Sequence, residues 1–188
     1  MDSILLHICC APCATAVLEE LRSGGDSVSG YFYNPAIQPW KELKRRIDAL
    51  EAWAPGVDLP VEIFRDYPLE ATLEMLLGAR NRCSACFLDR MLKTAVRASE
   101  MGIPRFTTTL LVSPYQNREM IREAGEKAAR TVGVEYIHHD FTHLYKRSIA
   151  LSREAGMYRQ PYCGCVFSER DRYLNKRSRG KTVNLLRY

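Results

Sequence analysis

Short apolar runs alternate with amphipathic stretches along this chain, and the alternation predicts strands feeding helices. Ser3 to Ile8 is a near-continuous apolar run of strand length, the signature of a strand covered on both faces. Ala14 to Arg22 reads as a helix, with Pro12 near its start and Gly24-Gly25 at its end. Val28 to Tyr33 is a second strand, closed by Asn34-Pro35. Trp40 to Trp53 carries Leu43, Ile47, Leu50 and Trp53 at helical spacing, and Pro55-Gly56 stops it. Val61 to Phe64 is a short strand and Glu70 to Leu77 a short helix. Phe87 to Met101 is a longer helix with Met91, Ala95 and Ala98 on one side. Arg105 to Val112 is rich in β-formers, and Ser113 to Asn117 turns into a helix from Arg118 to Val132. Glu135 to Ile137 is a last strand and Leu144 to Ala155 a helix. A loop from Gly156 to Phe167 precedes a final helix from Ser168 to Lys176.

Strands alternating with helix-length crossovers point to an α/β fold: a three-layer parallel sheet with helices on both faces, Rossmann-like or HUP-like. Residues 1–188 read as one domain, with 168–188 as a basic C-terminal segment. In such a sheet the strand ends at Cys9, Asn34, Ser113 and Asp140 converge on one rim, where ligands bind. A chain of 188 residues, 46% hydrophobic and 26% charged, can bury a core without disulfide staples. Its apolar runs are too short to span a bilayer, so no membrane partner is expected. Asp2 and Ser3 stand where a secretory leader would be basic, which favours a cytoplasmic setting in which thiols stay reduced. The net charge of +5 is concentrated in Lys41, Lys44, Arg45 and Arg46, and in Arg172, Lys176, Arg177, Arg179, Lys181 and Arg187. That distribution suits a polyanion such as RNA; a solvated helix face with a loose basic tail is the competing reading.

The chemistry lies in the seven cysteines, which form three groups: Cys9-Cys10-Ala11-Pro12-Cys13, Cys83-Ser84-Ala85-Cys86 and Cys163-Gly164-Cys165. The C-x-P-C turn resembles a thioredoxin-like dithiol, but that reading leaves five thiols unused. Two C-x-x-C knuckles would serve a structural zinc, but zinc needs four ligands and has little reason to sit at a ligand-binding rim. An iron–sulfur cluster takes four cysteines, or three with another ligand, which leaves thiols for a second metal or a redox dithiol. Contiguous cluster motifs fail because position 16 is Ala16, so a cluster must gather ligands from distant segments. The C-G-C pair is too tight for both sulfurs to act as an ordinary knuckle. A phosphate loop after the first strand is disfavoured, since Pro12 has no N–H and thiols replace the small residues.

The sequence resembles the QueH family of epoxyqueuosine reductases. The matching stretches are His7-Ile8-Cys9-Cys10-Ala11-Pro12-Cys13, Tyr33-Asn34-Pro35, Arg82-Cys83-Ser84-Ala85-Cys86-Phe87, Thr107 to Gln116, Asp140-Phe141 and Tyr158-Arg159-Gln160-Pro161-Tyr162-Cys163-Gly164-Cys165. Pro161 departs from the polar residue expected there. The resemblance implies two-electron deoxygenation of epoxyqueuosine in the tRNA anticodon loop, the last step of queuosine formation. It also implies a [4Fe–4S] cluster beside a separately coordinated iron, and an electron donor that the sequence does not identify. Two rivals remain at this point: an iron–sulfur tRNA-thiolating enzyme, which would need ATP, and a zinc-bearing RNA-binding module.

On that expectation Cys10, Cys83 and Cys86 hold the cluster, and Cys9, Cys163 and Cys165 hold the adjacent iron or complete the cluster, Cys165 being the candidate fourth cluster ligand. Cys13 is either a further metal ligand or a buried small hydrophobe. Tyr115 and Asp140 are the candidate proton donors, and Asp140 is alternatively a metal ligand or a contact to the substrate's guanine edge; a turn-stabilising phenol and a helix N-cap are the bland alternatives. Asn34, Tyr115 and Gln160 are candidate substrate contacts, with Arg45, Arg46 and the C-terminal cations on phosphates. Tyr33, Trp40, Tyr115, Tyr158 and Tyr162 are candidates for base stacking. His138, His139 and His143 read as exposed histidines at a strand end, and His7 as a hydrogen-bonded core residue.

Overall fold

The computed structural model describes residues 2–178. The strands are β1 (Ser3–His7), β2 (Ser27–Phe32), β3 (Val61–Ile63), β4 (Arg105–Thr108) and β5 (Glu135–Tyr136). The helices are α1 (Ala11–Ser23), α2 (Trp40–Trp53), α3 (Leu69–Gly78), α4 (Arg82–Glu100), α5 (Arg118–Val132), α6 (Tyr145–Glu154) and α7 (Val166–Ser178). Among the described residues the strands form one all-parallel sheet in the order β3-β2-β1-β4-β5. Helices α1, α2 and α6 pack on one side, and α3, α4 and α5 on the other. This is the three-layer α/β architecture that the strand–helix alternation predicts.

The central strand explains why the first apolar run is unbroken. Ile4 pairs with Val28 on one side and Arg105 on the other, and Ile4, Leu5 and Leu6 are buried, since helices cover both faces. His7 ends the strand inside the core. Its Nδ1 lies 2.8 Å from the Thr108 hydroxyl and its Nε2 lies 3.0 Å from the Tyr33 carbonyl. It is the core histidine that its position in the strand predicts. Chain order reverses at β1: β2 and β3 extend one way, β4 and β5 the other. The carboxyl ends of β1 and β4 therefore flank the topological switch point, where such sheets bind their ligands.

Four element boundaries depart from the periodicity in ways that matter here, and two of them bring thiols into helices. Helix α1 begins at Ala11 rather than Ala14, because Pro12 fits a first helical turn, whose N–H groups lack intrahelical partners. Cys13 is therefore inside the helix. Helix α4 begins at Arg82 rather than Phe87: the Asn81 side chain caps it by accepting from the Ser84 N–H at 3.1 Å. Cys83 and Cys86 thus sit in its first turns. Helix α7 begins at Val166, directly after Cys165. The β-rich run from Arg105 stops as a strand at Thr108, and Thr109–Val112 is a buried 3-10 turn capped by the Thr108 hydroxyl. Of the basic C-terminal segment, Arg179, Lys181 and Arg187 lie outside the described residues, as do the side chains of Lys176 and Arg177.

Candidate metal centre

Three segments bring thiols to the switch point. The first is the β1–α1 turn. The Sγ atoms of Cys9, Cys10 and Cys13 all lie within 4.8 Å of one another, with Cys9 and Cys10 3.8 Å apart. Three buried thiols this close cannot all ionise. Hydrogen bonds from Cys10, Cys13 and the Thr109 hydroxyl hold Cys9 well below the usual thiol range, against its burial. Burial pushes Cys10 up to about 12, and its neighbours' bonds push Cys13 up. A bound metal ion would replace those protons, as thiolate ligation requires.

The second and third segments meet each other. Cys83 and Cys86 stand at the start of α4, and Cys163 and Cys165 in the loop before α7. The charges of Cys163 and Cys165 act on both helix thiols. Burial first, and then those two sulfurs, push Cys86 up to about 11, with Arg90 opposing. This group is wider than the first: among the described residues only Cys9, Cys10 and Cys13 meet the 4.8 Å criterion. Every cysteine is a free thiol, so the donor set is intact and chemically suited to iron or zinc.

Neutral side chains tie the two groups together. The Gln160 amide donates to Cys10 Sγ at 2.8 Å, reaching the first group from the loop of the third. The Gln116 amide donates to Cys163 Sγ at 3.4 Å. The loop itself is strapped to α2. Buried Arg46 donates to the carbonyls of Cys163 (2.9 Å) and Tyr162 (3.2 Å) and pairs with buried Glu42 at 2.8 Å. Tyr158 donates to Glu42 at 2.5 Å, and Tyr162 to the Gln38 carbonyl at 2.9 Å. Gly164 completes the strap. Its φ is +140°, and a Cβ there would lie 2.9 Å from Ile37 Cγ1, so only glycine passes without strain.

The geometry redistributes the expected roles. Cys10 packs with Cys9 and Cys13 rather than with Cys83 and Cys86. Arg46 is 2% exposed and bound to the thiol loop, so it does not meet phosphates. Arg45 stays outside, its guanidinium 5.7 Å from the Tyr158 ring; both line a groove of about 750 Å³ beside α2. Asn34 is buried and ties strand ends together, its amide donating to the Ile8 carbonyl at 2.8 Å while its Oδ1 has no partner. Tyr115 is exposed and lies edge-on to Tyr145, with ring centroids 6.1 Å apart. Asp140 is tied into its own turn. It caps the turn at Thr142 and pairs with Arg118, and those bonds hold its carboxyl down at about 2, ionised near neutrality. His139 and His143 both face Glu20. Of the stacking candidates, Tyr158 and Tyr162 serve the strap and Tyr33 is buried, whereas Trp40 is partly exposed against Tyr67.

Thr109, Gln116, Glu42 and Arg90 were not singled out by sequence. Thr109 and Gln116 lie inside the Thr107–Gln116 stretch, and Arg90 follows Cys86 by one helical turn, so position alone could have marked them.

Comparison with known proteins agrees with this thiol architecture. Residues 4–171 match the family model described as "Epoxyqueuosine reductase QueH". Curated relatives of that description include one from Thermotoga maritima, 34% identical over 178 residues, spanning 89% of this chain and 91% of the relative. Another, from Dehalococcoides mccartyi, is 31% identical over 171 residues, spanning 90% and 94%. A solved structure, the zinc-inhibited form of teicoplanin deacetylase Orf2, is 13% identical with a TM-score of 0.40 over 72% of this chain and 66% of that one, too loose a likeness to bear on function. By the family match and these identities, the chain belongs to the QueH family of epoxyqueuosine reductases, a family of oxidoreductases.

Proposed function

We propose that this protein reduces the epoxide of epoxyqueuosine in the anticodon loop of tRNA, in the cytoplasm, using a [4Fe–4S] cluster and an adjacent iron. The balance is two electrons and two protons in, with queuosine and water out. The observation that carries the reading is the convergence of three thiol-bearing segments at the β1/β4 switch point. When bound, the metals would supply the electrons and a Lewis acid for the leaving oxygen.

A C-x-C pair is too tight to give both sulfurs to one centre in ordinary geometry. On this reading the cluster takes Cys83 and Cys86, with Cys10 contributed by the neighbouring compact group and Cys165 as the fourth ligand. Cys9, Cys13 and Cys163 remain for the adjacent iron. Gln160 and Gln116 orient Cys10 and Cys163 by their amide bonds. The exposed Tyr115 phenol stands beside Tyr145, whose own proton is held more tightly than an ordinary phenol's by burial and by Tyr115. Asn34 Oδ1 and Gln160 Oε1, both without partners, are acceptors for the substrate's polar edges. Arg45, exposed on α2 like Lys41 and Lys44, is the cation beside the groove for a phosphate backbone.

Single-turnover reduction of epoxyqueuosine-tRNA by the reduced, anaerobically reconstituted protein tests the reading; absence of queuosine would end it. Cys83→Ser or Cys86→Ser should abolish the visible absorption of the cluster, and an unchanged spectrum would remove them from the ligand set. Zinc without iron or acid-labile sulfide in anaerobically purified protein would favour an RNA-binding module. A strict ATP requirement would favour a thiolating enzyme.

A further inference from the structure

The largest fully buried side chains among the described residues are two arginines, Arg46 and Arg90. Arg46 is matched by Glu42. Arg90 has no carboxylate partner among the described residues, and its Nε makes no hydrogen bond. A guanidinium in the interior without an anion is among the costliest placements a side chain can have. An anion must therefore be supplied by what surrounds it.

Arg90 is surrounded by thiols. It lies one turn beyond Cys86 and two beyond Cys83, on the same face of α4. The sulfurs whose charge acts on it are Cys86, Cys163, Cys9 and Cys165, against burial. All three thiol segments are thus represented. Its own charge reaches His7, Cys83, Cys86, Tyr33 and Asp89. Asp89, the adjacent acid, is engaged with Tyr33. As neutral thiols, Cys83 and Cys86 cannot balance a cation. As ligated thiolates they can.

We propose that Arg90 is the fixed counter-charge of the metal centre: its guanidinium offsets the negative charge of the ligated cysteines and sets the reduction potential of the centre they hold. The proposal rests on the iron–sulfur reading given above. A cluster ligated by thiolates is a net anion and becomes more negative on accepting an electron. A buried cation beside it stabilises the reduced form more than the oxidised form, and so raises the potential. Arg90 need not touch substrate; it is a positioning residue that acts through the centre.

The test compares wild-type, Arg90→Met and Arg90→Lys proteins, each reconstituted to equal iron and sulfide content. The cluster takes up one electron from dithionite in a spectroscopic redox titration. Arg90→Met should show a more negative midpoint potential, with its metal-free form still folded by circular dichroism. Arg90→Lys, which keeps the charge, should stay near wild type. Equal potentials in wild type and Arg90→Met would overturn the proposal. So would a metal-free Arg90→Met that fails to fold, since Arg90 would then be a packing residue. A wild type that takes up no cluster would instead overturn the iron–sulfur reading, and this inference with it.

Discussion

Thr109 holds Cys9 at both ends. Its hydroxyl oxygen accepts from the Cys9 amide at 3.0 Å, and its proton goes to the Cys9 sulfur at 3.2 Å. One side chain at the end of β4 thus joins the two strands that flank the site and favours the Cys9 thiolate. Thr109→Val keeps the shape and loses both bonds. Leaving a buried amide unpaired costs about 1–3 kcal/mol, so the variant should unfold at lower denaturant and bind less iron. Wild-type stability and iron content would show that the hydroxyl is dispensable. Asp140 makes a different prediction. Its folded value is depressed from 3.8 to about 2, so its contribution to stability is present above about 3.8 and lost as pH falls toward 2. Asp140→Asn should remove part of the acid-induced loss of stability in that window. It should leave the acid limb of the activity profile near neutrality unchanged, as a pH series of denaturation and turnover will show. Asp140 lies four residues beyond the end of β5, and most of what holds its carboxyl down is local, the Thr142 hydroxyl and amide two residues on, with Arg118, 22 residues away, adding to it.

At the scale of elements, α2 and α4 each do something that their charge pattern hides. Helix α2 reads as a basic face, but position 46 falls on the stripe of Leu43, Ile47 and Leu50, one turn after Glu42. That periodicity was legible and argues for burial; only the fold shows that Arg46 also grips Cys163 and Tyr162. Glu42→Gln leaves Arg46 as an uncompensated buried charge, at a cost of about 3–5 kcal/mol. It should also speed hydrogen exchange through residues 158–165. Unchanged exchange there would show that the strap is not what holds the thiol loop. Helix α4 depends on its Asn81 cap, which brings Cys83 and Cys86 into the first turns. Asn81→Ala should cost about 1 kcal/mol and loosen cluster retention, read as faster bleaching by a chelator. The early start of α4 escapes periodicity because Arg82-Cys83-Ser84 has no apolar period to announce a helix; Asn81 as an N-cap is the local signal for it.

For the whole molecule, the sheet order decides where the chemistry happens. Because β1 and β4 are neighbours in the sheet, Cys9 at the end of β1 meets Thr109, while Gln160 reaches Cys10 and Gln116 reaches Cys163 from the elements that surround the crevice. Metal held from three segments binds the folded state alone, so it should stabilise the protein by mass action. Chelation should lower Tm, and a Tm unaffected by metal removal would mean that the segments do not share a centre. If tRNA is the substrate, affinity should fall steeply with salt, in proportion to the phosphates neutralised; a flat dependence would count against it. The amino-acid sequence by itself determined the strand–helix alternation, the thiol inventory and the family motifs, because period, composition and local spacing are properties of neighbouring residues. Which thiols meet, why Arg46 and Arg90 are buried, and how Gln160 reaches Cys10 from 150 positions away were decided only by tertiary structure, since burial and charge pairing depend on groups the chain brings together only when the sheet closes.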